Sequence, residues 1–142
     1  MAQRMTEREY LGFLLGRART ATLATVRADG RPHQAPVWFD LDGERLIFTT
    51  GESTVKARNM LRDPRVSLCI DEEEPPFHFA LIEGAADLTA GDPDLLYWAT
   101  RIGGRYMGAD RAEEYGRRNA VSGELLVRVT PSKILAYKNI SE

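Results

Sequence analysis

Cysteine is all but missing from this chain of 142 residues: Cys69 stands alone, which excludes a disulfide within the chain. It alternates with apolar neighbours in a strand-like run and is expected to be a packed thiol. Histidine is nearly as scarce. Neither His33 nor His78 lies at ligand spacing from the cysteine or from an acidic cluster, so no metal is expected. Charge of one sign is lacking too: with 19 Lys plus Arg against 21 Asp plus Glu, no global field draws nucleic acid or an anionic membrane, and any anion site has to be local. Long apolar runs are absent. The segment up to Thr20 is too interrupted to span a bilayer, and Glu7 and Glu9 argue against a signal or transit peptide, so a reducing cytoplasm is the expected location. Without repeats, low-complexity tracts or linkers, residues 1–142 read as a single domain. At this length such a domain buries roughly two-thirds of the surface its unfolded form exposes.

What is present is mostly short alternating segments. Thr6, followed three residues on by Glu9, is a capping-box pattern that opens an amphipathic helix through Tyr10, Phe13 and Leu14, ending near Gly16. Residues 21–26 are small and β-branched, Ala28-Asp29-Gly30 is turn chemistry, and His33 to Asp40 reads as the second strand of a hairpin. Asp42-Gly43 then turns the chain into residues 45–50, and three strands joined by short connections imply an antiparallel meander. Val66, Leu68 and Ile70 alternate with polar partners in a fourth strand. Beyond the acidic loop DEEEPP, Phe77, Phe79 and Leu81 alternate as far as Gly84, where a bulge is expected. Asp92-Pro93 starts a helix carrying Leu95, Leu96 and Ala99 that Gly103-Gly104 should interrupt, and Asp110 should cap a second through Arg118. Strands return at 125–129 and 134–137, divided by Pro131-Ser132. The pattern is mainly β: six to seven antiparallel strands with short helices, in a closed or nearly closed barrel because closure removes exposed edges.

The chain is organised around residues 49–64, TTGESTVKARNMLRDP. A strand that feeds a helix N-terminus through a small loop points several backbone N–H groups at one spot. Ser53, Thr54 and Lys56 add hydroxyl and ammonium donors there, which suits a phosphate. Ser53 is expected to cap the helix, Lys56 and Asn59 to share a ligand-facing side, and Val55, Met60 and Leu61 to turn toward the core. The same cations, Lys56, Arg58, Arg62 and Arg65 against Asp63, also read as a solvated helix face.

Taken in order, the motifs resemble the flavin and deazaflavin split-barrel oxidoreductases related to pyridoxamine-phosphate oxidase. They are Leu23-Ala24-Thr25, Asp29-Gly30-Arg31-Pro32, Val37-Trp38-Phe39, Thr49-Thr50, Ser53 with Lys56 and Asn59, and Asp63-Pro64-Arg65. The resemblance is close through Glu83-Gly84 and holds only in outline beyond, where residues 88–123 look like an insertion. It implies an FMN-binding-like split β-barrel and a homodimer with cofactor sites between subunits. Pro36, Val37 and Trp38 would line the ring, with Thr49 and Thr50 on the neighbouring strand. Ser53, Lys56 and Asn59 would hold the phosphate, and Phe77, His78 or Phe79 would reach across from the other subunit.

Oxidases of this family place an arginine immediately before the helix lysine, where this chain has Val55, a residue unable to form a bidentate pair with phosphate. That departure and the compact length favour coenzyme F420 over FMN. The resemblance therefore implies an F420-dependent oxidoreductase acting on a small conjugated substrate, with no side-chain nucleophile. An FMN-dependent oxidoreductase and a non-catalytic flavin or deazaflavin carrier are the alternatives. Tyr106, Arg117 and Arg118, in the divergent third, are placed to meet the acceptor or the acidic tail of the coenzyme on one reading, and on the preferred one are solvated helix.

Overall fold

The computed structural model describes residues 2–142. A capping box opens α1 (Glu7–Gly16): Thr6 Oγ1 accepts from the Glu9 amide at 3.1 Å, and Glu9 Oε1 accepts from the Thr6 amide at 2.9 Å. Tyr10, Phe13 and Leu14 turn inward from this helix. The short strand β1 (Gln3–Arg4) precedes it. There follow β2 (Ala21–Val26), β3 (Pro32–Val37), β4 (Asp40–Asp42), β5 (Arg45–Gly51), α2 (Val55–Arg62), β6 (Arg65–Asp71) and β7 (Phe79–Ala90). The chain ends with α3 (Leu95–Met107), α4 (Ala112–Asn119) and β8 (Glu124–Lys138).

Eight strands form one antiparallel sheet in the order β3-β2-β6-β7-β8-β5-β4, with β1 added to the far end of β8. The inner face packs Leu23, Phe39, Phe48, Leu68, Ile70, Ile82, Val127 and Val129, all sealed from solvent. The outer faces of β5 and β8 are covered as well, where Ile47 and Leu126 meet Trp98 of α3. That double burial explains the unbroken apolar run Leu46-Ile47-Phe48.

The structure departs from the expected meander at Trp38-Phe39. The run from His33 to Asp40 is not one strand: it breaks there, and β3 and β4 lie at opposite edges of the sheet. The sheet does not close, yet two residues carry the chain from one edge to the other, so the edges face each other across a narrow seam. Three α3 side chains pin that crossing. Tyr106 Oη accepts from the Phe39 amide at 3.2 Å and donates to the Arg19 carbonyl at 2.7 Å, Arg105 Nε donates to the Phe39 carbonyl at 3.1 Å, and Arg101 pairs with buried Asp40 at 3.0 Å.

Four further expectations are corrected. The segments 125–129 and 134–137 form a single strand through Pro131, because Ser132 is accommodated as a bulge opposite Glu83/Gly84. A Cβ on Gly84 would stand 2.4 Å from the Thr130 carbonyl oxygen, so only glycine fits. Nor do Gly103-Gly104 interrupt α3: they let α4 approach, and a Cβ on Gly103 would meet Tyr115 Cβ at 2.6 Å. Helix α3 begins after Asp94 rather than on Pro93, since Asp92 is spent on Arg128 at 2.7 Å and on the Asp94 amide at 2.8 Å. Asp110 lies in a 3₁₀ turn and makes no cap. Cys69 is half-buried, and burial with nearby Asp71 pushes its thiol pKa up. Among the described residues no helix is long and apolar enough to cross a membrane.

Candidate functional site

Where the seam meets the first turn of α2, a cleft of about 270 Å³ opens between Pro36, Val37, Trp38, Thr49, Lys56, Ile102, Asn119 and Glu124. Five of the ten residues singled out from the sequence thus come together. Strand pleating explains the choice within Thr49-Thr50: alternate side chains leave opposite faces, so Thr49 lines the cleft while Thr50 is buried on the other side.

The helix cap is Thr54, not Ser53. Thr54 Oγ1 accepts from the Ala57 amide at 3.2 Å and donates to the Gly51 carbonyl at 2.8 Å. With that proton committed, Thr50 Oγ1 donates to Thr54 at 3.0 Å. Ser53, one position earlier, is exposed. Asn59 is corrected too. It is buried, its amide nitrogen donates to Thr25 Oγ1 at 3.0 Å, and its oxygen accepts from Arg62 at 3.0 Å, so it braces α2 on β2 instead of facing the cleft beside Lys56. Met60 packs in the core, whereas Val55 and Leu61 are exposed.

Among the described residues Lys56 has no ion-pair partner. It stands at the positive end of α2, where an anion gains from both the ammonium and the free amides. Glu124 on the cleft's far strand is the opposing charge, so the cleft is polarised rather than uniformly basic. Trp38 forms a flat wall: its ring stacks on Tyr106 with centroids 4.8 Å apart and planes 5° from parallel. Tyr106 is therefore not solvated helix as expected but the backing of that wall. Arg117 and Arg118 are exposed on α4.

Phe77 and Phe79 do not reach this cleft within one chain. Phe79 pairs with Tyr137 at the far end of the β7–β8 ladder from Leu125, and Phe77 lies before it in the loop, at a φ of 58°. The sequence reading also missed Ile102, Asn119 and Glu124. They belong to elements that meet the cleft only through tertiary packing, and no local pattern marks them.

A sequence model described as pyridoxamine 5'-phosphate oxidase matches residues 7–138. The chain belongs to the pyridoxamine 5'-phosphate oxidase family. Its antiparallel sheet with one unclosed seam is that family's split barrel. A conserved hypothetical protein from Mycobacterium tuberculosis is similar in structure with a TM-score of 0.83 at 25% identity, over 96% of this chain and 87% of that one. A structure described as an F420 reductase is similar with a TM-score of 0.68 at 28% identity, over 87% of this chain and 94% of that one. In sequence, 54 residues are 43% identical to a 5a,11a-dehydrotetracycline/5a,11a-dehydrooxytetracycline reductase of Streptomyces rimosus. That stretch is 35% of this chain and spans 38% of the relative's length. Membership of the pyridoxamine 5'-phosphate oxidase family makes this an oxidoreductase-type chain with flavin- or deazaflavin-binding relatives.

Proposed function

We propose that this chain is a coenzyme F420-dependent reductase of a small conjugated acceptor, with the ring held in the Trp38 cleft and the anionic side of the coenzyme at Lys56. The observation that carries the reading is the joining of a flat aromatic wall, Trp38 on Tyr106, to a lysine at a helix N-terminus, without an ion-pair partner among the described residues, in one cleft. Val55, standing where oxidases of the family have an arginine, supports the deazaflavin over FMN, as does the likeness to an F420 reductase. The named substrates of the Streptomyces rimosus relative support a conjugated acceptor.

When bound, the deazaflavin supplies a hydride from a ring carbon. Everything else asked of the protein is binding and orientation. Lys56 would hold the anionic end and Glu124 would repel it, so the two charges would fix which way round the ligand lies. Val37 and Ile102 would shield a bound ring from water, and Trp38 would present a flat face to it. Thr49 offers a hydroxyl from the cleft wall. No side-chain nucleophile is assigned. At about 270 Å³ the cleft of one chain is smaller than most small-molecule sites, which start at about 300 Å³. A second copy is proposed to complete it, bringing its Phe77 and Phe79 over the ring.

Side-by-side titration with FMN and F420 tests the cofactor. A colourless purified protein that takes up the deazaflavin is the expected result. A yellow protein that keeps FMN through dialysis would instead carry the second reading, an FMN-dependent oxidoreductase, which the family match itself favours. Anaerobic spectroscopy of the reduced deazaflavin with enone acceptors then separates catalysis from carriage: tight binding without reoxidation by any acceptor refutes the reductase. Lys56→Ala should weaken coenzyme binding by about 1.5–3 kcal/mol, the worth of a charge-assisted bond. Unchanged affinity would show that Lys56 is not the anchor.

A further inference from the structure

At the other end of β8 from Glu124 lies a second cleft, of about 290 Å³, which shares no lining residue with the one at Trp38. It opens because β8 loses a neighbour. Strand β5 pairs with β8 as far as Val129, and β1 takes up the same edge only at Tyr137, so residues 130–136 have β7 on one side and no strand on the other. The start of α1 and the β4–β5 turn border that gap. Two bonds fill part of it: the Met5 amide donates to the Ala136 carbonyl at 2.9 Å, and Arg4 Nη2 donates to the Ile134 carbonyl at 3.0 Å. In an antiparallel ladder a residue's N–H and C=O leave by the same edge, so the Ile134 amide opens on the cleft as well.

The walls are apolar and the rim carries both signs of charge. Met5, Leu11 and Ile134 are half-buried against the core, and Tyr10 and Ala136 are buried. At the rim, Arg4 and Lys133 come from β1 and β8, Glu7 from α1 and Glu44 from the β4–β5 turn, and all four are exposed. None of them takes part in an ion pair among the described residues. Acids and bases that border one cleft without closing on each other favour an occupant with its own cation and anion, since a simple ion is repelled by half the rim. We propose that this cleft binds an apolar α-amino acid of the leucine or phenylalanine kind. Its carboxylate lies at Arg4, Lys133 and the Ile134 amide, its ammonium at Glu7 and Glu44, and its side chain against Met5, Leu11 and Tyr10. The space falls just short of the roughly 300–1,000 Å³ that drug-sized ligands occupy, which suits a molecule of this smaller size. The proposal is independent of the cofactor reading, since none of these residues lines the Trp38 cleft.

The test titrates the full chain, its methionine methyl groups labelled with carbon-13, with L-phenylalanine and follows it by NMR. Met5 lines this cleft, whereas Met60 packs in the core and Met107 adjoins Tyr106. A saturable shift of the Met5 methyl, with those of Met60 and Met107 unmoved, is the expected result. Phenylalaninamide and phenylpropionate, which each lack one of the two charges, should bind about fivefold more weakly, as for the loss of one exposed charge pair. The double substitution Glu7→Gln, Glu44→Gln should weaken phenylalanine about fivefold and leave phenylpropionate, which has no ammonium, no weaker than before. Lys133→Gln should weaken both. All three side chains are exposed, so the variants should fold as wild type does. A Met5 methyl that does not move, or moves without saturating, overturns the proposal. So do analogues that bind as tightly as the amino acid, or a double variant that treats phenylalanine and phenylpropionate alike. A shift at Met107 without one at Met5 would put the ligand beside Tyr106 and overturns it too.

Discussion

Replacing Thr54 by alanine should remove more than its solvent exposure suggests. Its hydroxyl caps α2 through the Ala57 amide, ties the preceding loop through the Gly51 carbonyl, and receives the proton of buried Thr50. Loss of an N-cap costs about 1 kcal/mol. Leaving the Thr50 hydroxyl without an acceptor adds about 1 kcal/mol. The expected loss is thus about 2 kcal/mol, or about 6 °C in melting temperature for a chain of this size. Ser53→Ala, one residue away and exposed, should change stability by less than about 0.5 kcal/mol. Thr54→Ser should recover most of the loss. Urea unfolding followed by circular dichroism, at one protein concentration and with unchanged m-values, measures all three. Were Ser53→Ala as costly as Thr54→Ala, or Thr54→Ala silent, the cap would be misassigned and with it the presentation of Lys56.

Tyr10 Oη is buried with no hydrogen-bond partner among the described residues, so Tyr10→Phe should stabilise the protein by about 1 kcal/mol at neutral pH, read by denaturant midpoint. Burial, with a lesser contribution from Glu44, pushes this phenol's pKa up from 10.0 to about 12. A raised folded-state value means its contribution is whole below pH 10 and is lost as pH climbs toward 12, so the Phe variant should unfold less steeply in that alkaline window. At the acid end, the hydrogen bond from Arg128 holds the Asp92 carboxyl below its ordinary 3.8. Its stabilisation is present above pH 3.8 and is lost as pH falls below it. Asp92→Asn should therefore be less stable at neutrality yet show a shallower acid slope in melting temperature. Gly84→Ala drives a Cβ to 2.4 Å from a backbone oxygen and should cost about 3 kcal/mol, visible as a lowered denaturation midpoint.

How much of this could be read from residue order depends on how local the deciding force is. The Thr6–Glu9 box and the Gly84 bulge were legible because both are settled within a few residues or by one steric demand. The α2 cap was misread by one position. Two neighbouring hydroxyls satisfy the same local rule, and the choice is made by Thr50 and the Gly51 turn. The break at Trp38-Phe39 was invisible within an unbroken β pattern because Tyr106, 67 residues away, holds it. Likewise Gly103-Gly104 read as a helix stop when their task is to admit α4. Lys56, Thr49 and the 36–38 run were found through motif likeness. Asn59 shared that motif but serves packing, since its polarity is consumed by Thr25 and Arg62.

The unclosed seam between β3 and β4 leaves main-chain groups on both margins without strand partners. A planar heterocycle with donors and acceptors around its rim can satisfy those groups as a missing strand would. Recognition by peptide units does not depend on which side chains flank them. Under the proposed function, side chains along the opening can therefore change, and with them what else fits beside a bound ring, while those backbone contacts remain on offer.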